Sequence, residues 1–158
     1  MCILSDQTLH ERIHELILDP DTSLINPASI DIRIGQFLKY EHESTWDLRE
    51  QGPYLLQPKE FVLVSTYEHL MVPNDLCMEL KLKSTSARLG FDHSVAFHFD
   101  PGWSGIGTME IHNMNRLQTL TLEYGQRFAQ IIYHKLDRPV LNPYQGRYQH
   151  ATSVEAAK

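Results

Sequence analysis

Apolar residues fall at helical spacing once in this chain and at strand spacing thereafter. Leu9, Ile13, Leu16 and Ile17 recur at intervals close to the helical repeat, the mark of an amphipathic helix. Ser5 or Asp6 stands where an N-cap is needed. Asp19-Pro20-Asp21 stops the run near residue 18. From Ile25 onward the period is two. Ile30, Ile32 and Ile34 alternate with Asp31 and Arg33, which predicts a half-buried strand ending at Gly35. Phe61 to Ser65, Leu76 to Leu82, Thr108 to His112, Leu120 to Leu122 and Phe128 to Tyr133 read as further strands. Turn formers separate them: Gly52-Pro53, Pro73-Asn74-Asp75, Asp100-Pro101-Gly102 and Tyr124-Gly125. One N-terminal helix followed by many short strands indicates a mainly β sandwich or barrel. The tail from Asn142 to Lys158 lacks a core pattern and is expected to be mobile without a ligand.

Composition narrows the class. A chain of 158 residues is expected to form one domain with a substantial core. Its 42% hydrophobic and 22% charged residues argue for a folded chain rather than a disordered one. No apolar run approaches the length that crosses a bilayer. The N-terminus has no basic segment followed by a long apolar one, so a cytoplasmic location is expected. Cys2 and Cys77 then read as free thiols. A net charge of −6 disfavours a nucleic-acid surface. It leaves room for a small anion, because Lys81, Lys83 and Arg88 form a local basic cluster.

The chemistry concentrates between Lys83 and Asn115. Lys83, Ser84, Thr85, Ser86 and Arg88 make a basic, hydroxyl-rich turn of the kind that holds phosphate oxygens. Taken alone, such a segment is as well explained by hydroxyls bonded to local backbone. Asp100 sits in a Pro-Gly turn, where aspartate is a common turn former. Glu110 is a lone carboxylate between Met109 and Ile111, suited to moving a proton. Without further information most strand carboxylates are simply solvated. The nine histidines are scattered, and no cysteine pair has ligand spacing, so no zinc site is expected.

These residues also resemble a known family. K-S-T-S-A-R-L-G, then H-x-x-A-x-x-x-D-P-G-W-x-G, then T-M-E-I-H-N are similar to the core of the dCTP deaminases, which belong to the dUTPase-like superfamily. I-N-P-A-S-I-D-I-R-I-G (25–35), L-Q-P-K-E-F-V-L-V-S-T (56–66) and R-F-A-Q-I-I-Y (127–133) resemble further strands of that family, in the same order. The resemblance implies a distorted jelly-roll barrel and a homotrimer with sites between subunits. It implies hydrolytic deamination of dCTP to dUTP and ammonia, without the zinc signatures H-x-E and P-C-x-x-C of other nucleobase deaminases.

Residue by residue, the resemblance makes Glu110 the group that activates water. Ser84 orients that water, and Arg88 lies near the base and phosphates. Lys83, Thr85 and Ser86 line the phosphate chain, and the carbonyl of Ala96 holds water and substrate. Asp100 contacts the sugar. Thr108 and Met109 offer backbone groups to the base, and Gln130 lies near the triphosphate. Tyr144, Arg147 and Gln149 match a tail that folds over the phosphates. Mg²⁺ would arrive with the triphosphate, and dTTP is a candidate inhibitor. The chain departs from the family pattern at Val95, where a threonine is expected, and at Arg147, where lysine is usual. Under a strict register Ala151 takes the place of the tail glutamine. Two other readings share the same residues: a bifunctional enzyme that carries dUTP on to dUMP and pyrophosphate, and a nucleotide-binding regulator with weakened catalysis. The residues do not distinguish dCTP from dCMP or a modified cytosine nucleotide.

Overall fold

The structure, a computed structural model, describes residues 2–41, 44–93, 96 and 98–157. Helix α1 (Asp6–Leu16) forms where the periodicity places it and buries Leu9, Ile13 and Leu16. Ser5 holds the N-cap position without a side-chain bond. The Asp6 carboxylate instead accepts from the Gln7 N–H at 2.9 Å. Arg12 fastens the helix to the following layer by two bonds to Asp75, at 2.8 and 2.9 Å. Hydrogen bonding from that guanidinium holds the Asp75 carboxyl below the usual carboxylate range.

The rest is a curled antiparallel sheet. Its main strands are β1 (Ser29–Tyr40), β2 (Phe61–Met71), β3 (Leu76–Leu82), β4 (Phe91–Asp92), β5 (His98–Phe99), β6 (Ser104–Asn113) and β7 (Arg127–Lys135). They neighbour one another in the order β5-β3-β7-β1-β2-β6-β4. A separate short pair joins Tyr54–Leu56 to Leu120–Leu122. Ile30, Ile32, Ile34, Leu38, Val64, Met109, Ile111, Phe128 and Tyr133 make the centre of the core.

Several strands differ from the sequence reading. β1 does not end at Gly35 but continues to Tyr40, and its pairing with β2 shifts between Ile34 and Leu38. Gly35 is required there, since a Cβ would lie 2.3 Å from the Thr66 carbonyl oxygen. β1 is also not polar on an open face. Asp31 is only 3% exposed, because Asn26 and Lys83 both donate to it. A second helix, α2 (Ser84–Leu89), replaces the expected turn. Six residues are too few for a periodic signal. Gly90 ends the helix in the left-handed region at φ 98°, donating back to the carbonyls of Ala87 and Ser86.

The β1–β2 pair carries a buried charge. The Glu68 carboxylate accepts from the Arg33 backbone N–H at 3.0 Å and from Arg33 Nε at 2.7 Å. Arg33 also lies 4.1 Å above the Tyr67 ring. Burial pushes the Glu68 carboxyl above its usual value, and the bonds from Arg33 pull it back. Glu68→Gln would remove the close counter-charge of a largely enclosed guanidinium and leave it only Asp21 at 3.8 Å. A loss of about 3–5 kcal/mol in denaturant-induced unfolding is expected; an unchanged midpoint would refute the pair's role.

Candidate functional site

Strand β6 builds the site by alternation. Odd residues Met109 and Ile111 are fully buried on the core side, and even residues Thr108 and Glu110 face the other way. The apolar neighbours that frame Glu110 in sequence therefore turn away from its carboxylate. The even side chains look into a cavity of about 500 Å³. Aromatic and apolar groups, including Phe61, Phe99, Trp103, Tyr144 and Tyr148, make much of its wall. Asp100, Glu110 and Glu155 add three carboxylates, and among the described residues no lysine or arginine lines it.

Glu110 is held at two points by the segment before β5. The Ala96 N–H donates to Glu110 Oε2 at 2.9 Å. His93 Nδ1 lies 3.1 Å from the Glu110 carbonyl oxygen. A carbonyl only accepts, so Nδ1 carries the proton in that bond. Among the described residues His93 Nε2 is buried without a hydrogen-bond partner. Ala96 thus touches Glu110 through its N–H, a contact no side-chain argument foresees. His93 was visible in the H-x-x-A spacing but carried no role there. Val95 lies outside the described residues.

Asp100 serves the turn with its backbone and faces the cavity with its side chain. Its carbonyl accepts from the Trp103 N–H at 3.1 Å, closing the turn, and its exposed carboxylate lines the cavity 3.5 Å from His98 Nε2. The backbone of β6 is available as well. The N–H of Asn113 and of Gly107 point toward β2, and the groups of Ser104, Ile106 and Glu110 point away from it. Among the described residues no strand pairs with β6 on that outer side at Thr108 or Glu110.

A second group of predicted residues lies elsewhere. Lys83 donates to the buried Asp31, which pairs in register with Gln130. Gln130 Oε1 accepts from Ser29 Oγ at 3.1 Å, and Lys81 is its neighbour across β3. Arg127 Nη1 approaches Asp31 at 3.9 Å. Ser84, Thr85 and Arg88 follow on α2 and are exposed. Ser86 differs from them: it is 4% exposed and its hydroxyl donates to the Phe128 carbonyl at 2.9 Å. None of these residues lines the cavity around Glu110. Asp31, which organises the group, reads in sequence only as a polar alternation in a strand.

The tail packs against the barrel, although its sequence has no core pattern. The Tyr144 N–H donates to the Pro101 carbonyl at 2.8 Å. Gln149 Oε1 accepts from the Ser104 N–H, and its Nε2 donates to the Gly102 carbonyl at 2.7 Å. Arg147 is exposed on the connecting turn. Among the described residues no three His, Cys, Asp or Glu side chains are placed to share a metal ion. No helix is long and apolar enough to cross a membrane.

Comparisons with known proteins bear on the family and the fold. A family model described as dCTP deaminase-like matches residues 3–136. A dCTP deaminase of Pyrococcus furiosus is 33% identical over 147 residues, covering 91% of each chain. A protein of Thermobifida fusca named "dCTP deaminase, dUMP-forming" is 38% identical, covering 90% of this chain and 82% of its own. Among solved structures, the 2'-deoxycytidine 5'-triphosphate deaminase of Agrobacterium tumefaciens superposes with a TM-score of 0.69 at 22% identity, over 85% of this chain. This chain covers 48% of that longer protein. Solved dUTPases carry the same curled sheet.

The two serines of α2 separate by experiment. Ser86→Ala should lower stability by about 0.5–1.5 kcal/mol, because it removes a buried hydrogen bond to the Phe128 carbonyl, which keeps the Lys83 N–H at 3.1 Å. Ser84→Ala should leave the unfolding midpoint in place. Equal midpoints for the two variants would contradict the buried role of Ser86.

Proposed function

The chain belongs to the dCTP deaminase-like family, and on that premise we propose that it hydrolyses the amino group of dCTP to give dUTP and ammonia. The observation that carries this reading is Glu110, placed in an aromatic-walled cavity and fixed by the Ala96 N–H at 2.9 Å. Water attacks C4 of the cytosine, and Glu110 takes the proton that the water loses. The C4–N3 double bond opens as the oxygen adds, and Glu110 passes that proton to N3. The bond from C4 to the amino nitrogen then breaks as Glu110 carries the proton of the new C4 hydroxyl to the departing amine. The C4–O bond that forms becomes the carbonyl of the uracil. This route needs a positioned carboxylate rather than a metal-bound hydroxide. The outward backbone of Thr108 and Glu110 suits the polar edge of the base, and Asp100 accepts from a sugar hydroxyl.

A triphosphate needs cations, and among the described residues the cavity wall carries three carboxylates and no lysine or arginine. Lys83, Ser84, Thr85 and Arg88, with Gln130 and Lys81 nearby, are the groups suited to it. They lie outside the cavity in one chain. Assembly as a homotrimer, with α2 of one copy completing the cavity of the next, reconciles the two groups. Mg²⁺ enters bound to the triphosphate as part of the substrate, held mainly by phosphates and water. In this reading Tyr144 and Arg147 close over the anion from the tail.

The Thermobifida fusca relative gives weight to a second reading, in which dUTP is carried on to dUMP and pyrophosphate in the same site. Incubation with dCTP and Mg²⁺ followed by product separation distinguishes the readings. Ammonia with dUTP supports deamination alone, and ammonia with dUMP and pyrophosphate supports both steps. Nucleotide binding with no ammonia would overturn the enzymatic reading in favour of a regulator.

The roles also predict an order among variants. Glu110→Gln should lower ammonia release by about 10⁴-fold, the upper end for a general acid–base group, with dCTP binding retained. Ser84→Ala should cost less, since it only orients. Arg88→Ala should weaken binding as well as rate, because it removes a charge-assisted contact. Mixed trimers of Glu110→Gln and Arg88→Ala chains should regain part of the rate. Full ammonia release by Glu110→Gln would sink the mechanism, and no regain on mixing would sink the shared site.

A further inference from the structure

The last turn of the tail runs beside β6 as a short parallel strand, and two positions in β6 make that possible. Gly105 bridges to Ala151. A Cβ at Gly105 would fall 2.7 Å from the Ala151 nitrogen and 2.9 Å from its oxygen, so any other residue displaces the tail. On either side of the glycine, the His150 N–H donates to the Ser104 carbonyl at 2.8 Å and the Ile106 N–H to the Ala151 carbonyl at 2.7 Å. Three residues on, Thr108 Oγ1 accepts from the Glu155 N–H at 3.0 Å. Ala151 and Val154 are buried by the docking.

The docked segment forms a wall rather than a plug. Ala151, Glu155, Ala156 and Ala157 face the same cavity as Glu110, yet about 500 Å³ remains open with the tail in place. That volume lies within the range of small-molecule sites. The Thr108 hydroxyl is engaged by the tail, but its backbone is not paired on the outer side among the described residues. Glu155 joins Asp100 and Glu110 on the described wall, which suits this part of the cavity to the neutral base and sugar and leaves the phosphates to the side that α2 of the next copy completes.

We propose that Gly105 and Thr108 are positioning residues for the nucleotide: they dock residues 150–157 of the same chain as the outer wall of the cavity, and that wall sets how tightly the nucleoside end is held. The proposal rests on the dCTP reading for its ligand, while the docking itself is independent of it. The substitutions are Gly105→Ala, which obstructs the bridge, and Thr108→Val, which keeps shape and backbone but removes the acceptor.

Amide hydrogen exchange on the full-length protein without nucleotide reads the docking. The His150, Ile106 and Glu155 amides should be protected in the parent chain. Gly105→Ala should release all three, and Thr108→Val should release Glu155 alone. Exchange at Val64 and Ile111, between β2 and β6, should not change. Steady-state kinetics reads the consequence: KM for dCTP should rise about tenfold in Gly105→Ala, the equivalent of one lost contact face. The double variant should be no worse than Gly105→Ala alone, because the tail is already released. Unprotected His150 and Glu155 in the parent chain, or additive effects in the double variant, would overturn the proposal. Absence of any turnover of dCTP by the parent chain would instead defeat the functional reading, with the exchange data still deciding the docking.

Discussion

Strand β6 is paired along its length on one edge only. Its inner edge is satisfied by β2 from Ser104 to His112. Its outer edge has to be satisfied in pieces, because β4 reaches only His112 and Asn113. Buried or half-buried backbone groups left without partners are costly, so each stretch of that edge recruits something different. The tail takes Ser104 and Ile106, and His93 takes the carbonyl of Glu110. The stretch between them borders the cavity. The position of the candidate site thus follows from an accounting of hydrogen bonds along one strand.

Charge divides the molecule in a second way. The acidic cavity and the basic α2 group are separate surfaces of one chain, although the overall charge of −6 conceals both. A buried Asp31 holds Lys83 in place while leaving α2 exposed. Glycine marks where backbones must approach: Gly35 against Thr66 in the barrel, Gly105 against Ala151 at the tail. Both contacts are between main-chain segments, which no larger residue could accommodate.

Much of the β architecture was legible because its signal is local. Ile30, Ile32 and Ile34 alternate as a strand must, and Leu9, Ile13 and Leu16 repeat as a helix must. Glu110 and Asp100 were found through motif spacing, and the structure brings them to one cavity with Ala96, Thr108 and Tyr144. Strand ends were less legible. β1 and β6 run past their apolar cores because pairing partners, not composition, decide where a strand stops. Helix α2 was read as a turn because six residues carry no period.

The sequence by itself determined the family, the alternation that turns Glu110 away from the core, and the glycines and turns that let the chain double back. Those depend on residue type and near neighbours. Only the tertiary structure decided that Ser86 faces inward to Phe128, that Gln149 is held by Ser104 and Gly102, and that His93 and Ala96 clamp Glu110. It also decided that the basic α2 group and the acidic cavity stay apart in one chain. Each of these joins residues distant in sequence, and a hydrogen bond or a charge pair exists only once folding has fixed both partners in space.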